Sequence, residues 1–268
     1  MSTAPAASLQ RTRVGDQQIA WRRDGPTDAP VVLLVHGLLA DQSLWDPVAG
    51  AMAGSFSVLR YDLRGHGQSS APPPPYTMTE LADDAVGLLD ALGLARVHLV
   101  GSSLGGMLAQ QVAARHGPRL HSLTLANTAA AQPAPAAWQA RIDTAGREGV
   151  AALAEGTLSR WFTPGFMASA PRQVERVRTV LCQTSVDGYV GCAGAVRDLA
   201  QRELLALITV PTLVIAGTFD EATPPAQSVE LCSGIADARL VALEAAHQSA
   251  FEQPEAFFTA WRRFVDGL

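Results

Sequence analysis

A chain of 268 residues with 48% hydrophobic and 17% charged side chains has the apolar material for a large folded core. A net charge of −5 argues against a nucleic-acid binder, and the absence of lysine among the 20 basic residues excludes a Schiff base, a pyridoxal phosphate anchor and a Walker-type nucleotide loop. The three cysteines (Cys182, Cys192, Cys232) form neither a disulfide framework nor a Cys-x-x-Cys pair, which fits a reducing, cytoplasmic compartment.

In chain order, residues 1–17 (MSTAPAASLQRTRVGDQ) lack the apolar run of a signal peptide. No segment approaches the roughly 18 uninterrupted apolar residues of a membrane span, so no membrane contact is expected. Apolar runs of strand length then recur at 31–35 (VVLLV), 57–61 (SVLRY), 96–101 (RVHLVG), 121–127 (HSLTLAN), 212–217 (TLVIAG) and 239–245 (RLVALEA). Continuous rather than alternating apolarity predicts strands buried on both faces of a parallel sheet. The PPPP at 72–75 reads as a stiff surface loop without a function of its own. MTELADDAVGLLDALG places Leu81, Ala85, Leu88, Leu89 and Leu92 on one helical stripe and ends at Gly93 as a C-cap. LGGMLAQQVAARHG follows the third of these strands and also ends in glycine.

The alternation of strands and helices breaks between about 128 and 200. AAAQPAPAAW gives way to helical stretches (REGVAALAEGTLSRWF, PRQVERVRTVLCQ, GYVGCAGAVRDL) before TLVIAG resumes the sheet. The expectation is an α/β core in two parts, 1–127 and 200–268, carrying a helical cap at 128–199.

The chemistry concentrates at strand ends. Gly-x-Ser-x-Gly centred on Ser103 uses Gly101 and Gly105, whereas centring on Ser102 would put Val100 and Leu104 in the flanking positions. A nucleophile on a sharp strand-to-helix turn needs those two neighbours small, so Ser103 is the candidate and Ser102 a small residue under the turn. A serine hydroxyl needs a base. Of the six histidines only His247, just after the last predicted strand, is placed to serve; His36, His66, His98, His116 and His121 are not. Asp220, after TLVIAG, is the candidate to orient the imidazole, with Glu221 and then Asp198 as rivals. Two backbone amides should receive the developing oxyanion: Leu104, after the nucleophile, and Leu38 in HGLLADQSLW, with Leu39 the alternative. No metal-ligand spacing emerges, DLRGHGQS lacks dinucleotide-loop spacing, and no cofactor is expected. No feature of the sequence sets an oligomeric state.

HGLLADQSLWDPV, YDLRGHGQSS, GSSLGGMLAQ, GTFDEATPP and AAHQSAFEQP together resemble the α/β-hydrolase superfamily over almost the whole chain. LANTAA, REGVAALAEGTLSRWFTPGF and DGYVGCAGAVRDL further resemble the 3-oxoadipate enol-lactonases of bacterial aromatic catabolism (the β-ketoadipate pathway). Two departures stand out: Ser102 replaces a residue more often aliphatic there, and Phe219 replaces a polar one before the aspartate. The resemblance implies an α/β-hydrolase fold, a mostly parallel central sheet flanked by helices, with the cap inserted after the sixth strand. It also implies hydrolysis of a small enol-lactone through an acyl-enzyme. The substrate carboxylate would need a cation in the cap, for which Arg141, Arg147, Arg160 and Arg197 are candidates, and Trp138 and Trp161 are candidate pocket walls. A general carboxylesterase or an acyl-homoserine lactonase is the alternative, and a catalytically silent receptor of the same fold a third reading.

Overall fold

The computed structural model describes residues 8–268. The reading of the N-terminus as free of a leader falls partly on residues 1–7, outside the described residues. The strands are β1 (Gln10–Val14), β2 (Gln17–Asp24), β3 (Val31–Val35), β4 (Ser57–Tyr61), β5 (Val97–Ser102), β6 (Leu120–Ala126), β7 (Thr212–Gly217) and β8 (Ala238–Leu243). Among the described residues they form one eight-stranded sheet in the order β1-β2-β4-β3-β5-β6-β7-β8, parallel from β4 to β8.

The pleat explains the two-sided burial. Val31, Leu33 and Val35 of β3 enter the core on one face, and Val32 and Leu34 enter the core on the other. The first face is covered by α2 (Met78–Ala91) and α3 (Leu104–His116), the second by α1 (Asp46–Met52) and the C-terminal α11 (Pro254–Asp266). The sheet edges and helix ends add to the sequence reading, and one strand departs from it. β1 and β2 form an antiparallel hairpin at one edge, with much of their length only partly buried and charged. At the opposite edge β8, expected to be doubly buried, has three of its six residues exposed and only Leu243 buried. Gly93 does cap α2 in the left-handed region (φ +65°), but Gly117, in the right-handed region, simply continues α3 into a 3₁₀ turn.

After β6 the chain leaves the sheet for a helical insertion: α4 (Pro135–Glu148), α5 (Ala154–Trp161), α6 (Pro164–Ser169), α7 (Pro171–Gln183) and α8 (Val186–Arg197). PAPAAW is thus helical from Pro135 onward, because proline at the first helical turn costs no hydrogen bond. Gly188 of α8 crosses Gly65 backbone to backbone. A Cβ at Gly188 would lie 2.1 Å from the Gly65 carbonyl oxygen, so the insertion sits directly on a core loop. The chain then returns through β7, α9 (Pro225–Gly234), β8 and α10 (Ser249–Glu252) to α11. Among the described residues no helix is long and apolar enough to cross a membrane.

Candidate active site

β5 passes into α3 through one residue, Ser103, held at φ 53° and ψ −120°. That conformation is disfavoured for an L side chain and survives because the surroundings over-determine it. The Ser103 N–H donates to Ala126 O at 3.0 Å, and its carbonyl accepts from Met107 N–H (3.0 Å) and the Thr128 hydroxyl (2.7 Å). The flanking glycines are sterically required. A Cβ at Gly101 would lie 2.3 Å from Gly105 O, and one at Gly105 would lie 2.2 Å from Val35 O. Ser102, by contrast, is the last residue of β5, in register with Ala126.

Ser103 Oγ lies 2.9 Å from His247 Nε2. On the far side of the ring, Nδ1 is 2.9 Å and 3.0 Å from the two Asp220 oxygens. A carboxylate only accepts, so Nδ1 carries the proton and Nε2 is left free to accept from serine. Asp220 is buried and densely solvated by protein. It accepts from Ala222 N–H and Thr223 N–H (2.9 Å each), the Thr223 hydroxyl (2.7 Å) and Asn127 Nδ2 (3.0 Å). Burial alone would raise its pKa, but the charge and hydrogen bond of His247, with the bonds from Thr223 and Asn127, hold it below the ordinary carboxylate value. Glu221 reaches the cavity without touching the imidazole, and Asp198 pairs with Arg197 at 2.6 Å.

Leu38 and Leu104, the two candidate amide donors, line the cavity that holds Ser103. Leu104 N–H is the first of α3, where no intrahelical acceptor exists and the helix dipole favours negative charge. Leu39 N–H is occupied, donating to His66 Nε2 at 3.1 Å, which leaves Leu38 N–H without an acceptor among the described residues. His66 also donates from Nδ1 to Arg64 O (3.1 Å). His36 accepts from Leu63 N–H (3.0 Å) and donates to Gly37 O (2.7 Å). These two histidines, one from each loop, cross-brace HGLLADQS against YDLRGHGQSS, and Asp62 adds a bond to Gln42 N–H (2.9 Å).

This bracing carries an acid liability. Burial, then the neighbouring His36, push the His66 pKa down to about 3, and burial lowers His36 as well. A histidine held neutral in the native state binds its proton first in the unfolded chain. Its contribution is therefore complete above about pH 6.5 and is lost as pH falls toward the native value, at about 1.4 kcal/mol per pH unit. Urea midpoints at pH 7, 5.5 and 4 should fall steeply for the wild type. In His66→Gln the slope should be shallower by about one proton, and an unchanged slope would count against the assignment.

The cavity above Ser103 holds ≈200 Å³. Leu38, Leu39 and Met107 form its apolar floor, and Trp138, Arg141, Arg160 and Trp161 come down from the insertion. Arg141 donates to the Thr157 hydroxyl (3.1 Å) and the Tyr189 hydroxyl (3.3 Å) and lies over the Trp138 ring at 5.4 Å. Burial, and then the like charge of Arg141, hold the Arg160 guanidinium below its ordinary value. Neither arginine has a carboxylate within ion-pair distance among the described residues. The other two candidate arginines lie elsewhere. Arg147 is largely exposed and pairs with Glu148, and Arg197 is engaged by Asp198 and Gln139.

One residue of the site escaped the sequence reading. Asn127, also at positive φ (48°), donates from Nδ2 to both Asp220 and Ala246 O (3.2 Å), and its side-chain oxygen accepts from the Ser249 hydroxyl. It ties the aspartate and histidine loops together. The only local trace is an asparagine at a strand end, a residue type that tolerates the left-handed region.

Residues 30–254 match the alpha/beta hydrolase fold family. The chain is 37% identical over 242 residues to 3-oxoadipate enol-lactonase 2 of Acinetobacter baylyi, covering 90% of this chain and 91% of that one. It superposes on the crystal structure of the enol-lactonase from Burkholderia xenovorans LB400 with a TM-score of 0.94 and 39% identity, over 96% of this chain and 100% of that one. A thermophilic esterase from Thermogutta terrifontis, solved with malate bound, superposes with a TM-score of 0.90 at 29% identity, over 97% and 99% of the two chains.

Proposed function

The chain belongs to the α/β-hydrolase fold family, and from that premise we propose that it hydrolyses 3-oxoadipate enol-lactone to 3-oxoadipate through a Ser103 acyl-enzyme. The observation that carries the substrate is the pair of guanidiniums, Arg141 and Arg160, that line the cavity holding Ser103 with no carboxylate at ion-pair distance among the described residues. Two half-buried like charges, with only the more distant Glu221 carboxylate acting on Arg160, favour an anionic ligand, and a planar guanidinium suits a carboxylate. The likeness to two enol-lactonases supports the same reading, and a cavity of ≈200 Å³ suits a ligand of about ten non-hydrogen atoms.

In this reading Arg141 holds the substrate carboxylate, with Arg160 adding charge, and Trp138 and Trp161 wall the ring. His247 Nε2 removes the Ser103 proton as Oγ attacks the lactone carbonyl. The oxyanion rests on Leu38 and Leu104 N–H. Collapse breaks the ring C–O bond, and the enol oxygen takes the proton from the imidazolium; the enol then relaxes to the ketone. Water, deprotonated by His247, attacks the acyl-enzyme, which releases the second carboxylate and returns the proton to Ser103. An enol leaves more readily than an alkoxide, so nucleophile and oxyanion donors dominate the catalysis. Residues 128–199 act as the substrate-selecting cap on a core made of 1–127 and 200–268, and the free thiols of Cys182, Cys192 and Cys232 support a cytoplasmic location.

The test compares kcat/KM on the enol-lactone and on p-nitrophenyl acetate, for the wild type and Arg141→Met. The wild type should prefer the lactone by about 10³-fold or more. Arg141→Met should lose about 10²-fold on the lactone, equivalent to about 2.7 kcal/mol, while the neutral ester changes within about twofold. Comparable wild-type rates on both substrates would overturn the lactonase reading in favour of a general carboxylesterase or an acyl-homoserine lactonase.

A further inference from the structure

His247 stands on a short loop between β8 and α10; one backbone amide beside it bonds the insertion directly, and the other is linked to the insertion through Glu252 of α10. Gln248 N–H donates to Trp161 O at 3.1 Å. Ala246 N–H donates to Glu252 Oε2 at 3.0 Å. The same carboxylate accepts from the Thr163 hydroxyl through Oε1 and from Thr163 N–H at 3.3 and 3.4 Å. Glu252 is 8% exposed, and the junction is clad by Phe162, Phe166 and Phe251, with ring centroids 5.1 to 6.2 Å apart. A carboxylate so far removed from water is stable only while its donors stay in place, and those donors come from two different parts of the fold.

The segment that braces the histidine loop is continuous with the segment that meets the ligand. Arg160 and Trp161 line the cavity, and the Trp161 ring lies 6.5 Å from that of His247; Trp161 O and Thr163 hold the loop. Four consecutive residues therefore carry both substrate contact and the seat of the base. We propose that Glu252 is a positioning residue, coupling the 160–163 corner of the insertion to the placement of His247, so that the insertion sets turnover as well as substrate choice. The chemistry needs Nε2 within hydrogen-bond reach of Ser103 Oγ, and a displacement of about 1 Å in such a pair costs up to about 10²-fold.

This rests on His247 being the base, and the experiment separates the two ideas. Thr163→Val removes one arm from the insertion side and leaves the core untouched. Thr163→Ser restores the hydroxyl. Glu252→Gln keeps the volume, but its single acceptor oxygen cannot serve both Thr163 and Ala246. The substrate that decides is p-nitrophenyl acetate, which carries no charge for Arg141 or Arg160. Coupling lowers kcat on both ester and lactone by about 10-fold or more in Thr163→Val and Glu252→Gln, leaves KM for the ester within about twofold, and is reversed in Thr163→Ser. An insertion that only recognises substrate would instead raise KM for the lactone and leave ester kcat at the wild-type value, which overturns the proposal. If Glu252→Gln does not fold, the Thr163 pair carries the same test alone. Full ester turnover in Ser103→Ala would remove the underlying triad rather than the coupling.

Discussion

Replacing Ser103 by alanine should reduce turnover by about 10⁴-fold or more on lactone and ester alike, while Ser102→Ala stays within about threefold of wild type. The two serines are neighbours in sequence but differ in geometry. Ser103 alone occupies the positive-φ turn and places Oγ 2.9 Å from His247 Nε2, whereas Ser102 belongs to the β5 ladder. The residual rate in Ser103→Ala would report the Leu38 and Leu104 amides acting on water attack without a nucleophile. Steady-state kinetics on both variants decide it. If Ser102→Ala were the dead variant, the elbow assignment would fall.

Asp220→Asn should be nearly as damaging, with kcat lower by about 10⁴-fold and KM little altered. Asparagine preserves the shape but presents an amide edge that donates, and His247 Nδ1–H then loses its acceptor or the ring turns to the wrong tautomer. Further donors crowd the same carboxylate: Ala222 N–H, both donors of Thr223, and Asn127 Nδ2. The new NH₂ must face at least one of them, so the folded state should also lose about 1–3 kcal/mol. Kinetics with a urea melt separates the two losses. Wild-type kcat in Asp220→Asn would reassign the imidazole's partner.

What the sequence reveals depends on how local the cause is. The buried strands and the elbow are legible because continuous apolarity and the glycines two residues either side of Ser103 are short-range requirements. The β1–β2 hairpin was not legible, since QRTRV and QQIAWRRD are charged and pair antiparallel at an edge. Nor was the start of α4, since helical stretches read only after AAAQPAPAAW although Pro135 sits where a helix accepts it. Choosing among four arginines was beyond periodicity as well. The rotation of α4 and α5 over the core turns Arg141 and Arg160 inward, while Arg147 and Arg197 meet nearby acids on the surface. Asn127 bonds Asp220 across 93 residues and Glu252 bonds Thr163 across 89, separations no motif spans.

The crossing of Gly65 and Gly188 also defines where this protein can drift. Any side chain there would strike main chain, so substitution at Gly65 or Gly188 should cost the fold, and these two positions are poor places to build a library. On α4 and α5, which bear Trp138, Arg141 and Arg160, a Cβ added at Gly146 or Gly156 meets nothing within 4 Å. Laboratory evolution toward new esters should therefore gather its accepted changes on those two helices, with the Gly65–Gly188 crossing left untouched.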